Sequence, residues 1–258
     1  MERPGAAYAF AQGRHPGLTS AIIRNSAGNV KVFAYTVQDL IELEKLLSAE
    51  RLGSYGPTGP PLRATLDFYI WNTALSASFY GPLQALEIAL RNALHREMST
   101  ACGRNDWYSA RLFRRAAYDL TGSVAEVANR LTRGGKPVDP PHVVAGLHFG
   151  FWTKLIDAGP NGNRVRLLWN AALHRAFPNY PRGAQAHRGP IYGELLRIKD
   201  FRNRIAHHEP VHNKRPEREY RRLLAVANWI DGRLPLWIAH HARCATLLDQ
   251  MPVPRQMF

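Results

Sequence analysis

The chain has 258 residues, of which 45% are hydrophobic, enough for one sizeable core or two closely packed helical subdomains and too many for a disordered protein. Lys and Arg number 34 against 20 Asp and Glu, which gives a formal net charge of +14. This basic balance is typical of proteins that bind a polyanion, whether RNA, DNA or an anionic membrane surface, although nucleotide bias in a genome also enriches Arg.

Composition also indicates the cellular compartment to expect and whether a bound metal is expected. The two cysteines, Cys102 and Cys244, are too few for a disulfide framework, and neither has a cysteine neighbour at the spacing of a zinc site. The histidines show no HExxH spacing, and no apolar run is long enough for a signal peptide or a membrane span. We therefore expect a soluble cytoplasmic protein with no metal, no other cofactor and no membrane association.

The predicted elements begin with an irregular extension over residues 1–34. Leucine spacing predicts an amphipathic helix over 37–52, and the Gly- and Pro-rich stretch 53–61 predicts a surface loop. Two helices are expected within 62–98, meeting at Gly81 and Pro82, because proline interrupts the helical hydrogen bonds. The remaining predicted helices cover 110–131, 142–156, 163–177, 190–208, 217–231 and 234–249, with a linker at 134–141.

The second half of the sequence shows no convincing strand alternation, and the chain contains no internal repeat or low-complexity tract. We therefore predict an all-α fold. Its main helical domain would cover 35–252, subdivided near 132–141 by the linker, and a short tail would follow at 253–258.

The segment 191–210 reads IYGELLRIKDFRNRIAHHEP and carries an apolar stripe at three- and four-residue steps. Proline at position 210 restricts the residue before it, so the helix should end nearby. Cations and imidazoles are therefore concentrated at one helix end. The stripe consists of Ile191, Leu195, Ile198, Phe201 and Ile205. The polar face consists of Lys199, Arg202, Asn203, Arg204, His207 and His208.

These side chains suit RNA cleavage, in which the 2′-OH of the substrate is the nucleophile. Imidazole titrates near neutral pH, so His207 could act as base or acid, and the guanidinium of Arg202 could hold the phosphate. The two residues are five apart, about 140° around an ideal helix, so they share a face only if the helix distorts at its end or the long arginine side chain reaches around it. The alternative is that the histidines cap the helix C-terminus and that Arg202 pairs with a surface carboxylate.

The string LRIKDFRNRIAHHEP closely resembles the signature of the abortive-infection (Abi-like) branch of the HEPN superfamily. The RNase motif of that family is Arg, a polar residue, three or more further residues and then His. The resemblance covers about 47–252 and leaves 1–34 unmatched. Other stretches that look like the family, in the same order, are SAERLGSY at 48–55, YIWN at 69–72 with LS at 75–76, LEIALRNA at 86–93 and FGFW at 149–152.

The resemblance implies that Arg202 and His207 are the catalytic pair and that Asn203 is the polar residue after the arginine. His208 and Glu209 match the Abi-like extension. It also implies a HEPN-type helical bundle that homodimerises, so that one RNA strand enters a composite cleft. Cleavage would need no metal and would leave a 2′,3′-cyclic phosphate and a 5′-hydroxyl. The protein would be a toxin or antiphage effector restrained by an antitoxin, either a protein or a structured RNA.

Two further groups of polar residues are candidates for this function. Glu87, Arg91 and Asn92 lie on a leucine-rich helix; Glu87 and Arg91 could form an intrahelical ion pair, or the group could position Arg202 or His207. The second group consists of cations, which can contact RNA phosphates without any sequence-specific geometry. An ordinary solvated basic face would explain the same residues equally well. The predicted RNA contacts are Lys199, Arg204, Arg111, Arg114 and Arg115.

Two other functions remain open at this stage. The same basic cleft could hold RNA without cutting it, as in a non-catalytic RNA-binding HEPN protein. The chain could also be the nucleotide-binding partner of a nucleotidyltransferase. Aromatic side chains at helical spacing could stack on bases, but this spacing is more typical of a core.

Overall fold

The structure is a computed structural model that describes residues 35–56 and 62–250, together with the backbone of two short strands. Strands β1 (Ile22–Arg24) and β2 (Val30–Val32) pair antiparallel, with Ile22 opposite Val32. The regular elements of 35–56 and 62–250 are all helical, which confirms the all-α class for them. The rest of the 1–34 extension and the 253–258 tail lie outside the described residues.

Twelve α-helices follow the strands in the described ranges. Short 3-10 turns connect several of them, and five residues, Val165–Trp169, form a single π-helical turn. The helices are α1 (Val37–Leu47), α2 (Ala49–Leu52), α3 (Leu62–Ser78), α4 (Tyr80–Cys102), α5 (Arg111–Ala116), α6 (Thr121–Arg133), α7 (Pro140–Gly146), α8 (Phe149–Ile156), α9 (Arg188–Ala206), α10 (Pro216–Ile230), α11 (Arg233–His241) and α12 (Cys244–Asp249).

The prediction of one helix over 37–52 is wrong, because Ser48 separates α1 from α2. The backbone of Ser48 has φ 68°, which a right-handed helix does not allow, and its hydroxyl accepts a hydrogen bond from the Arg51 amide. Ser48 therefore ends one helix and caps the next.

The junction predicted at Gly81 and Pro82 is also displaced. Helix α3 ends at Ser78 and α4 begins at Tyr80, so Pro82 lies within the first turn of α4. Amides in a first turn have no intrahelical acceptor, so a proline there costs no hydrogen bond.

Four of the longer predicted helices are divided into shorter pieces. Ala117, with φ −140°, separates α5 from a 3-10 turn and α6. His148 takes an extended conformation, and its Nδ1 accepts a hydrogen bond from the Phe151 amide, which starts α8 as a separate helix after α7. The stretch 163–177 forms only the π-helical turn and a 3-10 turn, and 234–249 is divided into α11 and α12.

The chain divides into two units, 1–74 with 250–258, and 75–249. Helices α6 and α7, on either side of the linker at 134–141, contact each other within the second unit, and the predicted subdivision near 132–141 stays a prediction. In the first unit, buried Leu52, Leu62 and Leu66 pack with leucines of α1. The buried amide of Asn72 donates a hydrogen bond to the Tyr55 hydroxyl at 3.2 Å.

Aromatic side chains hold the second unit together around α9. Phe79, the residue before α4, packs edge-to-face against Phe201 of α9 at 4.9 Å between ring centroids and against Tyr220 of α10 at 6.1 Å. Phe79 and Phe201 are buried, so α9 is fixed between α4 and α10 near the end that carries the predicted site.

A buried ionic cluster lies in the same unit. The guanidinium of Arg164, a residue only 2% exposed, contacts Asp119 and Asp157 at 2.5 Å each. Lys154 adds a second cation 3.3 Å from Asp119. Burial raises the pKa of the Asp119 carboxyl, but Arg164 and Lys154 outweigh it and hold that pKa below its usual value.

His95 makes the stability of the fold depend on pH. The indole N–H of Trp107 donates to His95 Nδ1 at 2.9 Å, and burial, aided by the charge of Arg91, lowers the pKa of His95 from 6.5. The unfolded chain therefore binds a proton at His95 as the pH falls, while the folded chain resists it. We expect the free energy of unfolding to be highest above pH 6.5 and to decrease toward pH 5.

Urea unfolding at pH 7 and pH 5 would measure this decrease, and His95→Gln is expected to reduce it, because Gln keeps an acceptor without titrating. Burial also lowers the pKa of His212, so part of the decrease should remain in the variant. An unchanged pH dependence in His95→Gln would contradict this role.

Candidate active site

Helix α9 presents the predicted site at its C-terminal end. All five residues of the predicted apolar stripe, from Ile191 to Ile205, are buried, which confirms the stripe. The helix continues to Ala206, and His207 is its C-terminal capping residue. The polar residues of the segment therefore project from one firmly packed helix.

A hydrogen-bonded turn terminates α9. The amide of His208 donates to the Ile205 carbonyl at 3.1 Å, and the amide of Glu209 donates to the Arg204 carbonyl at 2.8 Å. This pair of bonds is a Schellman motif. His208 adopts the left-handed conformation that the motif requires, with φ 57°. Glycine usually occupies that position, so His208 is held in a backbone conformation that is unfavourable for most side chains.

Arg204 braces this turn from the side. Its guanidinium donates to the Pro210 carbonyl at 3.1 Å and forms an ion pair with Glu209 at 2.9 Å. Arg204 was predicted to contact RNA and Glu209 to support the site. In the structure these two side chains bind each other, so they maintain the shape of the turn that carries the two histidines.

His207 and Arg202 remain available at this helix end. The side chain of His207 is exposed and makes no hydrogen bond or ion pair within the described residues. Arg202 is half-buried, and its Nη1 approaches Asn203 Oδ1 at 3.5 Å. Because α9 stays helical through Ala206, the two residues project about 140° apart. Within the described part of one chain, no hydrogen bond joins them.

Lys199 lies one turn before Arg202 on α9. Its ammonium is 3.8 Å from the carboxylate of Asp200, and its side chain is 31% exposed. A surface pair at this distance contributes little to stability, so the ammonium can exchange Asp200 for another anion.

The predicted supporting residues on α4 form no hydrogen bond or ion pair with Arg202 or His207 within the described chain. Glu87 and Arg91 are half-buried and Asn92 is exposed. The intrahelical ion pair between Glu87 and Arg91 is not formed; Arg91 Nε instead donates to Asn92 Oδ1 at 3.4 Å. Arg91 lies close enough to His95 for its charge to add to the effect of burial in lowering the pKa of that imidazole.

The arginines of α5 are all exposed. Arg111, Arg114 and Arg115 have no ion-pair or hydrogen-bond partner among the described residues. They therefore present three uncompensated charges to solvent, as a phosphate-binding surface would.

A second basic cluster was missed by sequence reasoning. Lys214, Arg215 and Arg218 lie at the start of α10, next to Arg197 of α9. The signal that could have revealed it is the presence of three cations around the first turn of a predicted helix, where the helix dipole disfavours positive charge.

In 35–56 and 62–250, no three side chains of the His, Cys, Asp or Glu type are grouped as metal ligands. No helix in those ranges has both the length and the apolar character needed to cross a membrane.

Comparison of the chain with protein-family models, curated proteins and solved structures finds no match. The resemblance of 196–210 to Abi-like HEPN proteins therefore remains a hypothesis. What the structure adds is the exposure of His207, the Schellman turn that carries it and the separation of His207 from Arg202.

Proposed function

We propose that the protein is a metal-independent endoribonuclease of the toxin or abortive-infection type, with a HEPN-type fold, acting as a homodimer in the cytoplasm. The observation that carries the proposal is the exposed imidazole of His207, without a partner in the described chain, on a braced turn beside the cation-rich end of α9. An exposed imidazole without a protein partner is accessible to a substrate and leaves both ring nitrogens for proton transfer.

The chemistry needs few groups because RNA supplies its own nucleophile. His207 takes the proton of a 2′-OH, and the resulting oxyanion attacks the adjacent phosphorus atom. The bond from phosphorus to the 5′-oxygen breaks, and that oxygen receives a proton from a second imidazole. Arg202 donates hydrogen bonds to the non-bridging oxygens, where negative charge accumulates in the transition state. The products are a 2′,3′-cyclic phosphate and a 5′-hydroxyl.

Two copies of α9 would complete this site. In one chain Arg202 and His207 project about 140° apart, so a single phosphate does not engage both by helix geometry alone. A twofold axis near the end of α9 would bring Arg202 of one copy toward His207 of the other. The second histidine of such a pair would also supply the acid. An antitoxin, either a protein or a structured RNA, would restrain the site by covering it.

Incubation of the purified protein with end-labelled single-stranded RNA in excess EDTA tests the proposal. We expect cleavage to continue in EDTA, with fragments that carry a 2′,3′-cyclic phosphate by mass spectrometry. RNA binding without cleavage at any protein concentration would contradict it. That outcome would favour a non-catalytic RNA-binding protein, for which the net charge of +14 and the free arginines of α5 already provide a surface.

A further inference from the structure

Two adjoining pockets in the second unit lie between α9 and α10. Each has a volume of about 490 Å³, and both are lined by Arg197 and Arg222. One extends toward Tyr180 and Trp229, and the other toward the first turn of α10. Together they form a single groove, the α9–α10 groove, with an aromatic end and a cationic end.

The middle of the groove is close to electrically neutral. Arg222 forms ion pairs with both Glu194 and Glu219, and Arg197 Nη1 contacts Glu194 at 2.7 Å. Burial works against the charge of Arg222, but these two carboxylates raise its pKa above its ordinary value. Arg222 and Glu194 therefore hold α9 against α10, and the two arginines and two glutamates together leave no net charge for a ligand.

The cationic end carries three cations that form no ion pair. Lys214, Arg215 and Arg218 are exposed and have no ion-pair or hydrogen-bond partner for their side chains in the described ranges. They surround the start of α10, whose backbone amides are themselves partially positive. Glu217, in the same first turn, has no ion-pair partner among the described residues and offsets only one of the three charges, so an anion bound here would relieve the remaining repulsion.

The aromatic end offers two rings for stacking. Tyr180 and Trp229 pack edge-to-face at 4.8 Å between centroids, and both are half-exposed. The indole N–H of Trp229 has no acceptor among the described residues. Gly189 lines this end, and because it has no side chain the groove stays open beside the rings.

We propose that the α9–α10 groove binds single-stranded RNA outside the cleavage site, with backbone phosphates on Lys214, Arg215 and Arg218 and a base against Tyr180 and Trp229. Unpaired bases are required, because bases inside a duplex are already stacked. From Arg218 to Trp229 the helix rises by about 16 Å, which gives room for more than one nucleotide. The inference rests on RNA as the substrate and identifies a second stretch of protein that holds it.

Binding of a labelled 2′-O-methyl oligonucleotide, measured by fluorescence anisotropy over a range of salt concentrations, tests the groove. This probe lacks the 2′-OH, so its affinity does not depend on whether the protein cleaves RNA. Replacing Lys214, Arg215 and Arg218 together with Gln should reduce the slope of log K against log salt by about 2, which corresponds to about 100-fold weaker binding at 0.1 M salt. A matched control replaces the exposed cations Lys136, Arg166 and Arg243 with Gln, which is expected to change Kd by less than about threefold.

A second variant examines the aromatic end. Trp229→Leu should weaken binding by about tenfold without changing the salt slope, because stacking releases no counterions. Its fold is verified by thermal unfolding, since Trp229 also packs on Tyr180. A duplex of the same sequence should bind without any dependence on Trp229.

The inference is overturned if the groove triple variant has the Kd and salt slope of the control triple variant, or if Trp229→Leu affects duplex and single strand equally. Loss of binding in the groove variant supports it even if the wild-type protein cleaves no RNA. Cleavage by the wild-type protein together with normal binding by the groove variant would support the proposed nuclease activity and contradict RNA binding in the groove.

Discussion

Replacing His207 with Ala is expected to lower the rate of RNA cleavage in EDTA by at least about 100-fold, because proton transfer by a positioned imidazole contributes that much or more. Arg202→Ala should cause a loss of about 100- to 1000-fold through the transition state, with a smaller effect on RNA affinity. Single-turnover cleavage of a labelled oligonucleotide separates the two effects. His207 is exposed and its side chain has no partner in the described structure, so its replacement should leave the fold intact.

The matched control is His241→Ala. His241 is also an exposed histidine, at the end of α11, and among the described residues its ring packs against the rings of Trp237 and His240 of the same helix. Cleavage by His241→Ala should equal that of the wild type. If His207→Ala cleaved RNA at the wild-type rate, His207 would have no role in the mechanism, whatever the result with His241→Ala.

Mixing the wild type with the double variant Arg202→Ala/His207→Ala tests the composite site. If one phosphate is bound by Arg202 of one copy and His207 of the other, a mixed dimer has no complete pair and only one His207 imidazole, so it should be inactive. Random exchange of subunits with a tenfold excess of the double variant should then lower the activity of a fixed amount of wild type by about tenfold. Unchanged activity, despite subunit exchange demonstrated by mass spectrometry, would mean that each chain carries its own complete site.

The largest expected effect on stability comes from Arg164. Its side chain is 2% exposed and bridges Asp119 and Asp157, whose side chains are 24% and 21% exposed. Arg164→Met would leave two partly buried carboxylates with only Lys154 as a cation. We expect the free energy of unfolding to fall by about 3–5 kcal/mol, the usual consequence of removing one partner from a buried ion pair.

Arg166→Met provides the matched control two residues away. Arg166 is exposed and contacts only the side chain of Asn163, at 2.7 Å, so its replacement should change the unfolding free energy by less than about 0.5 kcal/mol. Urea unfolding followed by tryptophan fluorescence measures both variants. Equal stabilities would show that the buried cluster is not a significant source of stability.

The sequence predicted α9 and its buried face accurately because its signals are local. The apolar stripe repeats at helical spacing, and Pro210 forces an end nearby. The exposure of His207 follows from the same pattern. The conformation of His208 does not, since a left-handed histidine is uncommon and the usual glycine signal is absent.

The divisions within other predicted helices could not be inferred from spacing, because tertiary contacts decide them. Apolar periodicity continues through Ala117 and His148, yet the backbone leaves the helix at both. The 3-10 turn after Ala117 holds Asp119, whose partner Arg164 lies 45 residues away. The α9–α10 groove was missed for a similar reason, since Arg197 and Arg218 meet only when the two helices pack together.

Because α9 stays helical through Ala206, the proposed activity would depend on the concentration of the protein. A chain in which Arg202 and His207 diverge carries half a site, and it stays inactive until it encounters a second copy. The specific activity would then increase with concentration, roughly in proportion to it when monomers predominate. A cell could tolerate a few copies of such a protein, and a modest rise in expression would act as the trigger.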